Sequence, residues 1–298
     1  MKILITGVNG FIGQHLAKKL LEKGHFVTGI GRSKKCKVHN IKAYYEGSVL
    51  DEKLLESAIK NADATVHLAA ITSHKNIVDK KSKTLATNLL GTKNVLDVFL
   101  KSKTAKKFLY ASTGKVYGKI VYLPITENHP TNPLNILGES KLETEKLIRS
   151  CNKDKKEFII FRIFNVYGPE QNENFLIPTI LKQLSNGKKE IVLGDIETKR
   201  DYIYIDDLIN AFVLAIEGKG SPGISIYNIC TGEGSSALKI VNLISKIKGI
   251  KVKIKVNSNL IRKDESQEEY GSFELAKRQL GWEPKINIEE GLKRLITK

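Results

Sequence analysis

Three equally spaced glycines, Gly7, Gly10 and Gly13, lie between two segments of different periodicity. Residues 2–6 form a short apolar run, which reads as a buried strand. Residues 11–23 carry apolar side chains at 12, 16, 17, 20 and 21, the stripe of an amphipathic helix that Gly24 ends. A chain passing from strand to helix through G-x-x-G-x-x-G has few conformations open to it. Gly7 permits a tight turn, Gly10 lets the backbone approach a ligand, and Gly13 lets the helix pack close to the strand. The helix N-terminus then offers free N–H groups and partial positive charge to a pyrophosphate. A glycine-rich turn with no ligand is the alternative; the flanking strand and helix favour the phosphate reading.

The rest of the first half repeats the pattern. Strands are expected at 26–30, 43–45, 64–69, 107–111 and 157–163, with helices at 51–60, 85–100 and 138–150. Asp51 is placed as a helix N-cap. Regular β-α-β alternation predicts an α/β fold with a doubly wound parallel sheet, which binds ligands beyond the carboxyl ends of its strands. After about residue 168 short strands (191–193, 226–229, 252–256) mix with helices (175–186, 206–217, 236–246, 288–296). This predicts residues 1–168 as a dinucleotide-binding domain and 169–298 as a smaller C-terminal α/β substrate lobe, partly interwoven with the first.

The end of the second strand bears on the ligand. An acidic residue there would bind the ribose 2′-hydroxyl of NAD, and none is present. Gly31-Arg32-Ser33-Lys34-Lys35 stands instead, and Arg32 can pair with a 2′-phosphate, which favours NADP(H). In the alternative, Arg32 stacks on adenine and either cofactor is accepted.

Composition narrows the partners. With 49 basic and 32 acidic residues the net charge is +17, but only seven of the basic residues are arginine. Scattered lysines without interleaved aromatics read as a solvated surface that attracts small anions, and give no support to nucleic-acid binding. No apolar run is long enough for a membrane span or a signal segment. Cys36, Cys151 and Cys230 lie far apart, and the histidines have no metal-ligand spacing. A cytoplasmic protein without a metal is expected.

Further along, the chain carries HLAA at 67–70, TNLLGTKNVLD at 87–97, STGKVYG at 112–118 and GESK at 138–141. FRIFNVYGPEQ at 161–171, KRDYIYIDDLINA at 199–211, YNICTGEG at 227–234 and LGWEP at 280–284 follow. With TGVNGFIG at 6–13, these motifs resemble the extended short-chain dehydrogenase/reductases, a family of nucleotide-sugar epimerases, dehydratases and reductases with a Rossmann-type domain. The resemblance covers nearly the whole chain. It implies NAD or NADP as cofactor and a nucleotide-diphosphate sugar as substrate. Gly7, Gly10, Phe11, Ile12 and Gly13 would hold the cofactor pyrophosphate, Arg32 would flank the adenosine ribose, and Leu68, Ala69 and Ala70 would line the cofactor. Asn88 would brace the sheet. Thr113 matches the catalytic Ser/Thr and Lys141 the catalytic lysine, which also holds the nicotinamide ribose. Asn165, Arg200 and, more loosely, Arg262 match residues on the nucleotide end of the substrate. The helices at 85–100 and 138–150 match those that form a homodimer interface in relatives.

Two departures stand out. The family's catalytic pair is Tyr-x-x-x-Lys, and the residue four before Lys141 is Leu137. A tyrosine whose pKa of about 10 is lowered by a neighbouring ammonium can take or give the proton that accompanies hydride transfer; leucine cannot. Three readings compete. The base comes from elsewhere, with Lys115 ahead of Tyr117; or the protein binds a nucleotide sugar or dinucleotide without turnover; or the leucine is an engineered substitution. The second departure is Gly114-Lys115, where hexose 4,6-dehydratases of the family carry Asp-Glu. That disfavours dehydration and leaves a nucleotide-sugar epimerase or a keto-sugar reductase. Elsewhere, His67 and the tyrosines of 201–204 are expected to pack, and His74 to be a solvated loop residue. Asp206 and Asp207 are expected to cap a helix, and Glu143 and Glu145 to form exposed ion pairs.

Overall fold

Buried apolar strands alternate with helices from the first residues of the computed structural model, which describes residues 1–72, 84–151, 155–261 and 266–297. In chain order the first half comprises β1 (Lys2–Thr6), α1 (Phe11–Glu22), β2 (Phe26–Gly31), β3 (Ala43–Glu46), α2 (Glu52–Ile59), β4 (Ala64–His67), α3 (Gly91–Lys101), β5 (Lys107–Thr113), α4 (Ile136–Ser150) and β6 (Glu157–Ile163). The second half comprises β7 (Asn165–Tyr167), α5 (Leu176–Gln183), β8 (Glu190–Leu193), β9 (Lys199–Tyr204), α6 (Ile205–Glu217), β10 (Gly223–Ile229), β11 (Gly234–Ser236), α7 (Ala237–Lys248), β12 (Lys253–Val256), β13 (Glu268–Glu269), α8 (Glu274–Leu280) and α9 (Ile288–Ile296).

Seven strands form one parallel sheet in the order β10-β6-β5-β4-β1-β2-β3. Its residues feed cores on both faces. On β5, Phe108 and Tyr110 join the core beside α2, α3 and α4, while Leu109 and Ala111 join the core shared with α1 and α6. Period-two alternation with both sets apolar is what a parallel sheet covered on two sides requires. The order reverses between β1 and β4, which makes a crevice at the carboxyl ends of those strands.

Beyond residue 168 the chain returns to this sheet through β10, which pairs with β6 along seven residues. The remaining strands build a smaller sheet around β9, with β11 antiparallel, β13 and β7 parallel to it, and a separate β8–β12 pair. Trp282, fully buried, closes the C-terminal segment by donating from Nε1 to the Asp207 carbonyl at 2.9 Å.

Several local expectations need correcting. The helix expected at 85–100 is present, but Ala86–Leu90 within it is π-helical and its α-helical part, α3, begins at Gly91. Asp51 does cap α2, accepting from Leu54 N. Asp206 and Asp207 do not cap α6, which has no side-chain cap. Asp207 instead accepts from Lys285 N and Ile286 N at 3.0 and 2.8 Å, pinning the C-terminal segment. Glu143 forms the exposed pair expected, with Lys146, but Glu145 is buried against Arg162. Its place four residues after Lys141 and three before Ile148 puts it on the inner face of α4. His74 and Arg262 lie outside the described residues.

Candidate active site

The glycine turn lies at the sheet reversal. Gly7 has φ +73°, and a Cβ there would come within 2.9 Å of Ala69 N. A Cβ on Gly13 would stand 2.3 Å from Gly7 O, so strand and helix meet backbone to backbone. Gly10 differs: its Cβ would meet only Gly7 O, at 3.1 Å, and otherwise point into open space. That open cradle precedes α1, whose first residues, Phe11, Ile12 and Gly13, leave N–H groups without intrahelical acceptors. Gly10 supplies no side-chain cap, so these donors remain for an anion. Leu68, Ala69 and Ala70 follow β4 and form the opposite wall, with Ala69 N donating to Thr6 Oγ1 at 3.3 Å.

Arg32, Lys34, Lys35 and Lys37 are exposed on the loop after β2. Sequence reasoning missed what shapes this loop. Asn9, inside the glycine turn, donates to Lys35 O at 3.1 Å and accepts from Lys37 N at 2.8 Å. It also donates to the Tyr44 hydroxyl, which in turn donates to Ser33 O at 2.5 Å. The basic loop is therefore tied to the phosphate cradle itself. No periodicity marks Asn9; its only sequence signal is an amide among glycines.

Thr113 ends β5 and caps the 3₁₀ turn Gly114–Val116, its Oγ1 accepting from Lys115 N at 3.2 Å. Its O–H remains a donor. Helix α4 starts at the Asn135 cap and places Leu137 and Lys141 one turn apart. A Cβ on Gly138 would lie 2.5 Å from Lys115 O, so the Thr113 loop rests on the first turn of that helix. Asn88, in the π-helical turn, accepts from Ile71 N and donates to Ile71 O and Ser140 Oγ. It thus fixes the loop after β4 to α4, rather than the sheet that the resemblance implied.

Lys141 is buried. Its Nζ donates to Ala111 O at 2.6 Å and lies 4.6 Å from the Tyr110 ring centroid. Burial pulls its pKa down to about 7, against an opposing pull from Glu145. His67 is packed as expected, 2.7 Å from Thr6 Oγ1 and 2.8 Å from Thr92 Oγ1. Burial, with the Lys141 charge second, lowers its pKa to about 3 and keeps it neutral. Behind α4, Arg162 donates to both carboxylate oxygens of Glu145, and Ser112 Oγ donates to the same group.

The two candidate replacements for the missing tyrosine fare differently from expectation. Tyr117 is buried and donates to Asn228 Oδ1 at 2.5 Å, and burial raises its pKa, so it faces the core. The amine of Lys115 is engaged with Glu269, 2.8 Å away. Arg200 Nε approaches the same Glu269 oxygen, at 3.6 Å, and Arg200 donates to Lys199 O and Ser266 O. Asn165 donates to Asp201 O. Asp201 is buried and accepts from Thr231 N, Thr231 Oγ1, Gly232 N and Gly271 N; burial nevertheless raises its pKa to about 7, against those bonds. The sequence did not single out Glu269 or Asp201. Thr113 and Arg200 are thus linked across two sheets through Lys115 and Glu269.

The model of the GDP-mannose 4,6 dehydratase family matches residues 4–295. The chain belongs to that family. The resemblance to extended short-chain dehydrogenase/reductases is borne out with it. A putative UDP-glucose 4-epimerase of Methanocaldococcus jannaschii is 32% identical over 305 residues, covering 99% of this chain and 97% of its own. A UDP-glucose 4-epimerase from Bifidobacterium longum, solved with NAD⁺ and UDP, superposes with a TM-score of 0.87 at 26% identity, covering 98% and 96%. RMD from Pseudomonas aeruginosa, solved with NADPH, gives 0.86 at 26% identity, covering 99% and 97%. Among the described residues no helix is long and apolar enough to cross a membrane.

Proposed function

We propose that this chain binds NAD(H) or NADP(H) and transfers a hydride to or from the sugar of a nucleotide-diphosphate sugar, as a keto-sugar reductase or a 4-epimerase. The observation that carries the reading is the Gly10 cradle at the sheet reversal, open where a side chain would fill it, with Thr113 at the carboxyl end of β5 and Lys141 bonded to the same strand at Ala111 O. Relatives solved with NAD⁺ and with NADPH support the cofactor class, and one solved with UDP supports the substrate class. The basic, Asn9-braced loop bearing Arg32 favours NADP(H). The cofactor, when bound, supplies the hydride chemistry.

The chain's own residues do the rest. N–H groups of Phe11, Ile12 and Gly13 hold the pyrophosphate, and Leu68, Ala69 and Ala70 wall the cofactor. Asn165 and Arg200 hold the nucleotide end of the substrate, Arg262 with them. The Thr113 O–H bonds the reacting sugar oxygen. Lys141, with a pKa near neutrality, is the group that exchanges the proton. Lys115 can donate only by leaving Glu269. A site with donors and no phenolate suits reduction of a ketone, where oxygen gains a proton. The Asp-Glu pair for dehydration is absent. The relatives' activities favour an enzyme over a silent binding protein. We also assign a cytoplasmic location and a homodimer built on the helices α3 and α4. Incubation with UDP-, GDP- and dTDP-sugars under NAD⁺, NADH and NADPH is the test. An epimerised or reduced sugar supports the proposal; tight binding without product for every pair refutes it.

A further inference from the structure

Gly31 closes β2, the point from which a dinucleotide-binding fold presents an acid to the adenosine ribose. In this chain that space is taken. A Cβ on Gly31 would lie 2.9 Å from the Tyr44 hydroxyl and 3.3 Å from Asn9 Nδ2. Neither atom is free to yield. Asn9 Nδ2 donates to the Tyr44 hydroxyl and to Lys35 O, both at 3.1 Å, and Asn9 Oδ1 accepts from Lys37 N at 2.8 Å. The Tyr44 hydroxyl donates in turn to Ser33 O. Both amide hydrogens of Asn9 and the phenolic hydrogen of Tyr44 are thus engaged, so a side chain at 31 displaces the pair only by breaking bonds.

The pair also governs charge. From Gly31 to Tyr45 the chain has no acidic residue, and Arg32, Lys34, Lys35 and Lys37 are exposed. Like charges on so short a loop repel one another, and a loop fixed only at its ends would spread them. Asn9, from the glycine turn, and Tyr44, from β3, instead grip its backbone at 33, 35 and 37. We propose that Asn9 and Tyr44 are specificity-determining positioning residues. Together they occupy the space an acid would take at the end of β2 and hold the basic loop beside the phosphate cradle, so that a dinucleotide with a 2′-phosphate is preferred over one without. The loop is ordered before the ligand arrives, and its cations meet the phosphate without that cost. The proposal rests on the proposed function in that the glycine turn holds a dinucleotide. It assigns the choice between the two cofactors to side chains that act through the loop backbone.

The experiment is calorimetric titration of NADP⁺ and of NAD⁺ into the intact protein, Asn9→Ala and Tyr44→Phe, with thermal melting of each as the measure of folding. The readout is the ratio of the two affinities, because a general loosening of the glycine turn weakens both ligands alike. The parent is expected to favour NADP⁺. N9A loses the side-chain bonds to Lys35, Lys37 and Tyr44, and is expected to bind NADP⁺ about tenfold more weakly with NAD⁺ changed less than about twofold. Y44F keeps its ring and both Asn9 bonds to the loop, and its ratio is expected to fall about threefold. An N9A ratio equal to the parent's overturns the inference; where N9A does not fold, an unchanged Y44F ratio does so. A parent that binds the two cofactors equally overturns this inference and leaves the dinucleotide reading standing. A parent that binds neither overturns that reading, and this inference with it.

Discussion

Replacing Lys141 by methionine should make the protein more stable, and by an amount that depends on pH. The lysine is 4% exposed and hydrogen-bonded to one backbone carbonyl, with no carboxylate paired to it among the described residues. Its pKa falls from 10.5 to about 7 on burial. At 1.36 kcal/mol per tenfold, that fall corresponds to ~5 kcal/mol held against the charged form in the folded state. Because the folded pKa lies below the unfolded one, the folded state binds fewer protons between about pH 7 and 10.5, and stability rises with pH across that window. Below it both states are protonated and the full cost is present. Methionine has similar reach and no charge, so it removes that cost but leaves Ala111 O unpaired, at about 1 kcal/mol. The net gain is ~3–4 kcal/mol near pH 6, shrinking to ~1 kcal/mol near pH 9. Urea unfolding of the two proteins at several pH values reads it directly. A variant no more stable near pH 6, or a gain equally large near pH 9, would refute the claim that Lys141 is buried as a strained cation.

Three other outcomes follow from the geometry. Glu145→Ala strands Arg162, 2% exposed, without its carboxylate and should cost ~3–5 kcal/mol in denaturant unfolding; a loss under ~1 kcal/mol would show the pair to be dispensable. Leu137→Tyr places a phenol one helical turn from Lys141 and should raise turnover roughly a hundredfold, read by product formation; no rise would mean that the proton already has an adequate carrier. Arg32→Asp should weaken NADP⁺ roughly tenfold or more while sparing NAD⁺, read by calorimetry; equal losses for both would remove Arg32 from 2′-phosphate recognition.

What the sequence disclosed and what it hid divide along a physical line. β6 emerges at the residues expected, 157–163, because a strand buried on both faces is a continuous apolar run. The glycine turn was legible because backbone needs that no side chain can meet leave a mark in composition. Glu145 was misplaced because a glutamate among lysines reads as surface; only its helical phase with Lys141 and Ile148 betrays it. Lys115 and Glu269 meet between two sheets, and no local period links residues that far apart. Asn9 works through backbone atoms of a loop, contacts that carry no side-chain signature. The π-helical segment at 86–90 was hidden because a π turn keeps nearly the apolar spacing of an α-helix.

The central claim is that the glycine bend holds a redox dinucleotide, and Gly10→Val tests it most directly. The substitution meets only Gly7 O, so the fold should survive while the cradle fills. Calorimetry is expected to show NADP⁺ or NAD⁺ binding to the parent and none to G10V, with the two proteins melting within a few degrees of each other. Equal binding by both, or no binding of either nucleotide by the parent, would contradict it.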